Sequence, residues 1–201
     1  MTTASADFAM AGGGYPVELQ VDPPAAQNRL TVFFRIILAI PHLLIVSALQ
    51  YVVGITGLIA WVIIVITGKC PAGLLRFNAG YVRWGARTYG YVGLLTDKYP
   101  PFALEGDDQY PIRMNVQEEL EGRNRLTVFF RLILVIPHAI VLSVLGLVAY
   151  VVAIIAWFAA LFTGSVPEGL HNFLAGVVRW WARVNAYIYL VVDEYPPFSL
   201  N

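Results

Sequence analysis

The chain has 201 residues, 58% of them hydrophobic and 13% charged, and its acidic and basic side chains balance to a formal net charge of zero. Soluble domains carry about 25% charged residues, so this composition leaves too little polar surface to coat a water-exposed globule. It also excludes a bulk electrostatic pull on nucleic acid. A single cysteine, Cys70, excludes an intramolecular disulfide and a thiolate metal cluster.

Residues 1–14 (MTTASADFAMAGGG) have no basic stretch followed by an apolar run, so they read as a flexible tail and not a secretory signal. The Gly12-Gly13-Gly14 run lacks the Gly-Lys-Ser/Thr ending of a phosphate loop. Tyr15–Val21 (YPVELQV) alternates apolar and polar residues, which suggests a short strand.

From Asn28 onward the chain repeats itself, and such periods are sought first because they set the architecture. Residues 28–105 align without a gap to residues 124–201, and about half of the positions are identical. NRLTVFFR at Asn28–Arg35 recurs whole at Asn124–Arg131; Pro41-His42 recurs as Pro137-His138, Trp61 as Trp157 and Thr67-Gly68 as Thr163-Gly164. YPIRMNV at Tyr110–Val116 echoes the first strand, and the acidic linker EGDDQ at Glu105–Gln109 marks the boundary. The expected organisation is a tail over 1–14, a first repeat over 15–105 and a second over 110–201, combined in one membrane domain.

Within each repeat lies an uncharged stretch, Ile36–Gly68 and Leu132–Gly164. Each exceeds the ~20 residues one spanning helix needs. The full apolar region Leu30–Thr67 would be ~55 Å long as one straight helix, against a hydrocarbon core of ~30 Å. A helical hairpin resolves the excess, with arms near Leu30–Leu49 and Tyr51–Thr67, a turn near Gln50–Gly54, and its counterpart near Leu145–Leu147. The alternative is an interfacial helix ending at Pro41 followed by one span from His42. All 13 Lys and Arg residues lie outside the uncharged stretches, and the hairpin puts them on one, cytoplasmic side. The expected fold is therefore an all-α membrane protein of two tandem repeats. Each repeat has a short strand, an apolar hairpin of two spans and an interfacial amphipathic helix.

That last helix, Gly73–Leu95 or Gly169–Val191, carries Arg76, Arg83, Trp84 and Arg87 in repeat one and Arg179, Trp180 and Arg183 in repeat two. Arginines spaced seven and four apart share a face, and with tryptophan beside them they suggest contact with lipid headgroups. Tyr99-Pro100-Pro101-Phe102 and Tyr195-Pro196-Pro197-Phe198 stop the helices, since proline cannot continue them.

A second group sits at helical spacing at the start of each apolar stretch: Asn28, Thr31, Arg35 and His42, repeated as Asn124, Thr127, Arg131 and His138. It reads either as topological, with Asn28 a helix cap and Arg35 snorkelling, or as a polar intramembrane stripe lining a path between the repeats. His42 and His138 lack the companion ligands a metal or haem would need, so no metal and no cofactor is expected. His171 has Leu75 as its counterpart and reads as a surface residue; Cys70, opposite Val166, reads as a small apolar residue. Asp97 and Asp193 precede the Tyr-Pro-Pro-Phe motifs and read as local hydrogen-bonding groups. They are the only candidates for a lipid-modifying activity, and no catalytic residue is assigned.

With NRLTVFFR, Ile-Pro-His, the Thr-Gly stop, Arg-Trp-x-Ala-Arg and Tyr-Pro-Pro-Phe present in both halves, the chain resembles a largely actinobacterial family of multi-pass membrane proteins known as a domain of unknown function. The resemblance implies a bacterial protein of the plasma membrane and no particular activity. Lys69-Cys70 and Gly85, where repeat two has Trp181, depart from the pattern. Three functional classes follow: a non-enzymatic scaffold or accessory subunit contacting membrane lipids and a second copy or another membrane protein; a small channel or carrier; and a lipid-modifying enzyme.

Overall fold

Asn28 and Asn124 start the helical part of each repeat by the same device. Their side chains accept hydrogen bonds from the Leu30 N–H, and from the Leu126 and Thr127 N–H groups, in the first exposed turn. In the computed structural model, which describes residues 14–201, helix α1 (Arg29–Phe33) is followed after one distorted residue by α2 (Arg35–Thr67). Helix α3 (Ala72–Val92) then returns alongside. Repeat two has α4 (Arg125–Leu134), α5 (Ile136–Thr163) and α6 (Glu168–Ile188) in the same order. Strand β1 (Val17–Val21) precedes the first set and β2 (Ile112–Val116) the second. Met1–Gly13, most of the expected tail, lies outside the described residues.

The expected hairpin turn near Gln50–Gly54 is not there. Helix α2 runs unbroken for 33 residues, and α4–α5 form one rod of 39 residues that passes Gly146 without a turn. Both are long and apolar enough to cross a membrane. In α2 the reason lies in the inward edge: Ala39, Val46, Val53 and Ala60, all buried, recur every seventh residue. A seam of that period holds one helix against its neighbours along its whole length, and a single glycine costs too little to break it. The fold-back comes instead at Gly68 and Gly164. Both are left-handed (φ 74° and 81°) and close the preceding helix, and Pro71 and Pro167 begin the return. Each repeat is thus a helical hairpin whose second arm is the amphipathic helix.

Helices α3 and α6 do not lie free at an interface. Both are buried on nearly every side. Helix α3 packs on α2, on α6 and on β2, and α6 packs on α5, α3 and β1. The two long rods run antiparallel, with each end against the start of the other: the Trp61 indole donates to the Val128 carbonyl at 2.9 Å, and the Trp157 indole to Val32 at 2.8 Å. The strands pair antiparallel with Leu19 opposite Met114. Since these are equivalent residues of the two repeats, a local two-fold axis passes between them.

On the same axis α3 crosses α6 at Gly85 and Trp181. A Cβ on Gly85 would stand 2.5 Å from the Trp181 ring. Equivalent positions on an axis face each other, and only one large side chain fits there. The departure noted in the sequence is therefore a complementary pair.

The repeats also exchange their leading segments. The Tyr15 hydroxyl donates to Glu194 O of repeat two at 3.1 Å, and the Tyr110 hydroxyl to Lys98 O of repeat one at 2.9 Å. Burial pushes both hydroxyls well above the usual tyrosine range.

Candidate functional site: arginine staples and histidine–aromatic clusters

The polar stripe lies on the inward face of the rods, and in each repeat it closes on the aspartate before Tyr-Pro-Pro-Phe. In repeat one the Arg35 guanidinium, fully buried, meets Asp97 at 3.0 Å, the Gln27 side-chain carbonyl at 2.7 Å and the Thr96 backbone carbonyl at 2.7 Å. Asp97 also accepts from the Thr31 hydroxyl at 2.5 Å and the Asn28 N–H at 3.1 Å. In repeat two Arg131 meets Asp193 at 2.5 Å and donates to the Tyr187 and Val192 carbonyls. Arg123 stands where repeat one has Gln27 and reaches the same carboxylate at 3.2 Å. Each guanidinium also lies 4.3 Å from a tyrosine ring centre, Tyr91 or Tyr187, within cation–π range. The Thr127 hydroxyl donates within its own helix, to the Asn124 carbonyl.

These staples hold a strained corner. Leu94 and Leu190 are left-handed leucines (φ 61° and 62°), a conformation that costs about 1–2 kcal/mol. The Gln27 amide donates to Leu94 O at 2.6 Å and Arg123 donates to Leu190 O, so the corner's carbonyls are satisfied inside the protein.

The three remaining motifs converge on the histidines, two turns further along each rod. Trp84 donates its indole N–H to Nδ1 of His42 at 3.0 Å, and Trp180 donates to His138 at 3.1 Å. This bond makes Nδ1 the acceptor and leaves the proton on Nε2. Phe102 stacks on the His42 ring at 4.0 Å, and Phe198 on His138 at 3.9 Å. The Tyr99 hydroxyl donates to Leu38 O, and Tyr195 to Leu134 O, at 3.1 and 3.0 Å. Those carbonyls lie within one turn of Pro41 and Pro137, where the helix ladder is weakened by the missing proline N–H.

Ile-Pro-His, Arg-Trp and Tyr-Pro-Pro-Phe thus form a single cluster, built twice. The two histidines sit in separate clusters, each within its own repeat. Among the described residues no three His, Cys, Asp or Glu side chains gather as a metal site.

Two tandem matches to one family model, the domain of unknown function DUF4389, cover residues 29–103 and 125–199. The chain belongs to the DUF4389 family. No curated protein and no solved structure matches it. Each DUF4389 match runs from the first helix to the residue after Phe102 or Phe198, so it contains one arginine–aspartate pair and one histidine–aromatic cluster, with Gln27 and Arg123 just before it. Both strands lie outside it.

The residues expected at lipid headgroups are placed differently. Trp84 and Trp180 are buried against the histidines, and Arg87 and Arg183 are buried, donating to Ala103 O and Ser199 O. Arg83 and Arg179 donate to the strand carbonyls of Met114 and Leu19. Arg76 stays exposed beside Glu118 at 3.5 Å. His171, expected at the surface, is buried with Nε2 3.3 Å from Leu95 O, because α6 is a core helix. The two stripes are not brought to face each other, since their hydrogen bonds run within each repeat.

Sequence reasoning did not single out Gln27 and Arg123, which differ between the repeats. It also passed over Asn78, whose side chain joins Thr56 of α2 to Tyr189 O of repeat two at 2.7 and 2.8 Å. The trace available in the sequence was a polar residue at one offset before each NRLTVFFR motif.

Proposed function

We propose that this DUF4389 chain is a membrane-embedded protein without a catalytic role, a scaffold or accessory subunit of the bacterial plasma membrane. The observation that carries the reading is the outward face of α2 and α4–α5. Leu44, Tyr51, Leu147 and Phe162 are 66%, 79%, 68% and 71% exposed, amid a run of other exposed large apolar side chains. A rod ~50 Å long and ~10 Å wide presents about 500 Å² on one side. Two rods together exceed the largest apolar patch usual on a soluble monomer, roughly 300–600 Å². Lipid covers such a face at little cost in unpaired polar groups, because the rods' backbone groups bond along the helix and, beside Pro41 and Pro137, the Leu38 and Leu134 carbonyls accept from Tyr99 and Tyr195.

Arg29, Lys69, Arg76 and Arg125 are exposed and supply charge for anionic headgroups on the cytoplasmic side. The paired strands and the charged groups around them offer the surface for a partner protein.

The test is extraction. The chain should stay with membranes through high salt and a urea wash, and should leave in polymer-bounded lipid discs together with a second chain. Release by the urea wash would end the membrane reading. Discs that hold a lone monomer would end the scaffold reading while leaving the membrane one intact.

A further inference from the structure

The arrangement of charge around the local two-fold axis fixes how the chain sits in a bilayer, given the membrane reading above. Helices α2, α3, α6 and α5 form a closed ring of four rods, in which α2 meets α3, α3 meets α6, α6 meets α5, and the ends of the long rods meet α4 and α1. The sheet packs chiefly on α3 and α6. Sheet and long rods therefore occupy opposite sides, and the axis runs from the Leu19–Met114 pair through the Gly85–Trp181 crossing to the gap between the rods, perpendicular to them.

The two sides differ completely in chemistry. The rod side carries no charged residue from Ile36 to Gly68 or from Leu132 to Gly164. The sheet side exposes Glu18, Gln20 and Asn115. It also holds an open cavity of about 550 Å³ lined by Arg76, Arg113, Asp107, Asp108 and Glu118, among others.

Suppose the rods stood across the membrane. The axis would then lie in the membrane plane, and the sheet would sit at mid-depth with two open strand edges and several charges in hydrocarbon. Neither is tolerated there. An upright crossing would also leave apolar residues outside the hydrocarbon, since 33 residues make ~50 Å against ~30 Å, and only a steep tilt would bury them. Laid flat, by contrast, a helix ~10 Å thick fits within one leaflet, about half of the ~30 Å core. The axis then stands along the membrane normal and both repeats keep their polar groups toward the same water.

We infer that the chain is monotopic: α2 and α4–α5 lie in the membrane plane, sunk into the acyl chains of a single leaflet, with the sheet and its charged cavity in the adjoining aqueous phase. The turns Gly68–Pro71 and Gly164–Pro167 rise from the rod layer to the middle layer, so Lys69 and Ser165, at opposite ends of the molecule, both reach that same water.

The full chain on a Cys70→Ala background, in sealed vesicles of known orientation, tests this with Gln20→Cys, Lys69→Cys, Ser165→Cys and Tyr51→Cys. A membrane-impermeant thiol reagent should label the first three from one side only, and Tyr51→Cys from neither. Labelling of Lys69→Cys and Ser165→Cys from opposite sides would overturn the in-plane arrangement while leaving the chain a membrane protein. Free labelling of Tyr51→Cys would instead remove the membrane reading. Polarised infrared dichroism of the unsubstituted chain in oriented bilayers is independent of the variants. Its amide I transition should show long helices parallel to the membrane plane, and a perpendicular mean orientation would refute the inference.

Discussion

Removing the staple arginines should affect the two repeats unequally, because the aspartates are not equally supplied. Arg35→Ala leaves Asp97 with hydroxyl and amide donors but no guanidinium, and strips the Thr96 carbonyl of its partner. Breaking a buried ion pair from one side costs about 3–5 kcal/mol, and Asp97, at 27% side-chain exposure, places this change toward the lower end of that range. Arg131→Ala leaves the Arg123 guanidinium 3.2 Å from Asp193 as a remaining ion pair, so the carboxylate is not stripped of its counter-charge. The repeat-two change should therefore be milder by about 1–2 kcal/mol.

The carboxylate substitutions invert the order. Asp193→Asn removes the counter-charge shared by two buried guanidinium groups, with Arg123 keeping only the exposed Glu119 at 3.6 Å, whereas Asp97→Asn removes it from one. Equilibrium unfolding in mild detergent, followed by tryptophan fluorescence, gives all four values. Equal losses for Arg35→Ala and Arg131→Ala, or a larger loss for Asp97→Asn than for Asp193→Asn, would refute the reasoning.

At the axis, Gly85→Trp drives a large side chain into the Trp181 ring and should cost at least the 1–3 kcal/mol typical of overpacking. The double swap Gly85→Trp with Trp181→Gly should recover most of it, as thermal melts will show. Tyr99→Phe removes the bond to Leu38 O and should cost about 0.5–1.5 kcal/mol, read from the same melts. Stability should also fall as pH climbs past about 10. Burial pushes the Tyr110 and Tyr15 hydroxyls up in the folded chain, so the unfolded chain ionises first and is favoured progressively above that pH. Burial pushes the Cys70 thiol up too, so alkylation at pH 8 should be far slower in the folded protein than in denaturant.

Much of this architecture is written locally. The asparagine caps, the Thr-Gly stops and the proline restarts are short-range devices, and the structure uses each where the sequence places it. The duplication likewise reads directly from the aligned motifs. A fold-back inside the apolar stretch follows from rod length only if the rod crosses the bilayer upright, and the continuous helix shows that length alone does not force a turn. The seventh-residue spacing of Ala39, Val46, Val53 and Ala60 was the better guide to one unbroken helix.

The role of α3 was obscured for a different reason. Arginines spaced along one face look identical whether that face meets headgroups or backbone carbonyls, and the partners of Arg83 and Arg87, at Met114 and Ala103, are supplied by segments beyond the helix. Convergence of Ile-Pro-His, Arg-Trp and Tyr-Pro-Pro-Phe on one histidine likewise depends on the turn at Gly68, which brings Trp84 back beside His42.

The claim on which the account depends most is that the outer faces of the rods lie in lipid. Spin labels attached through Ile55→Cys and Ile154→Cys, on a Cys70→Ala background in reconstituted bilayers, report it directly through their collisions with oxygen and with a water-soluble nickel complex. The account expects high oxygen and low nickel accessibility at both sites. Nickel accessibility equal to that of a label at Gln20 would contradict it.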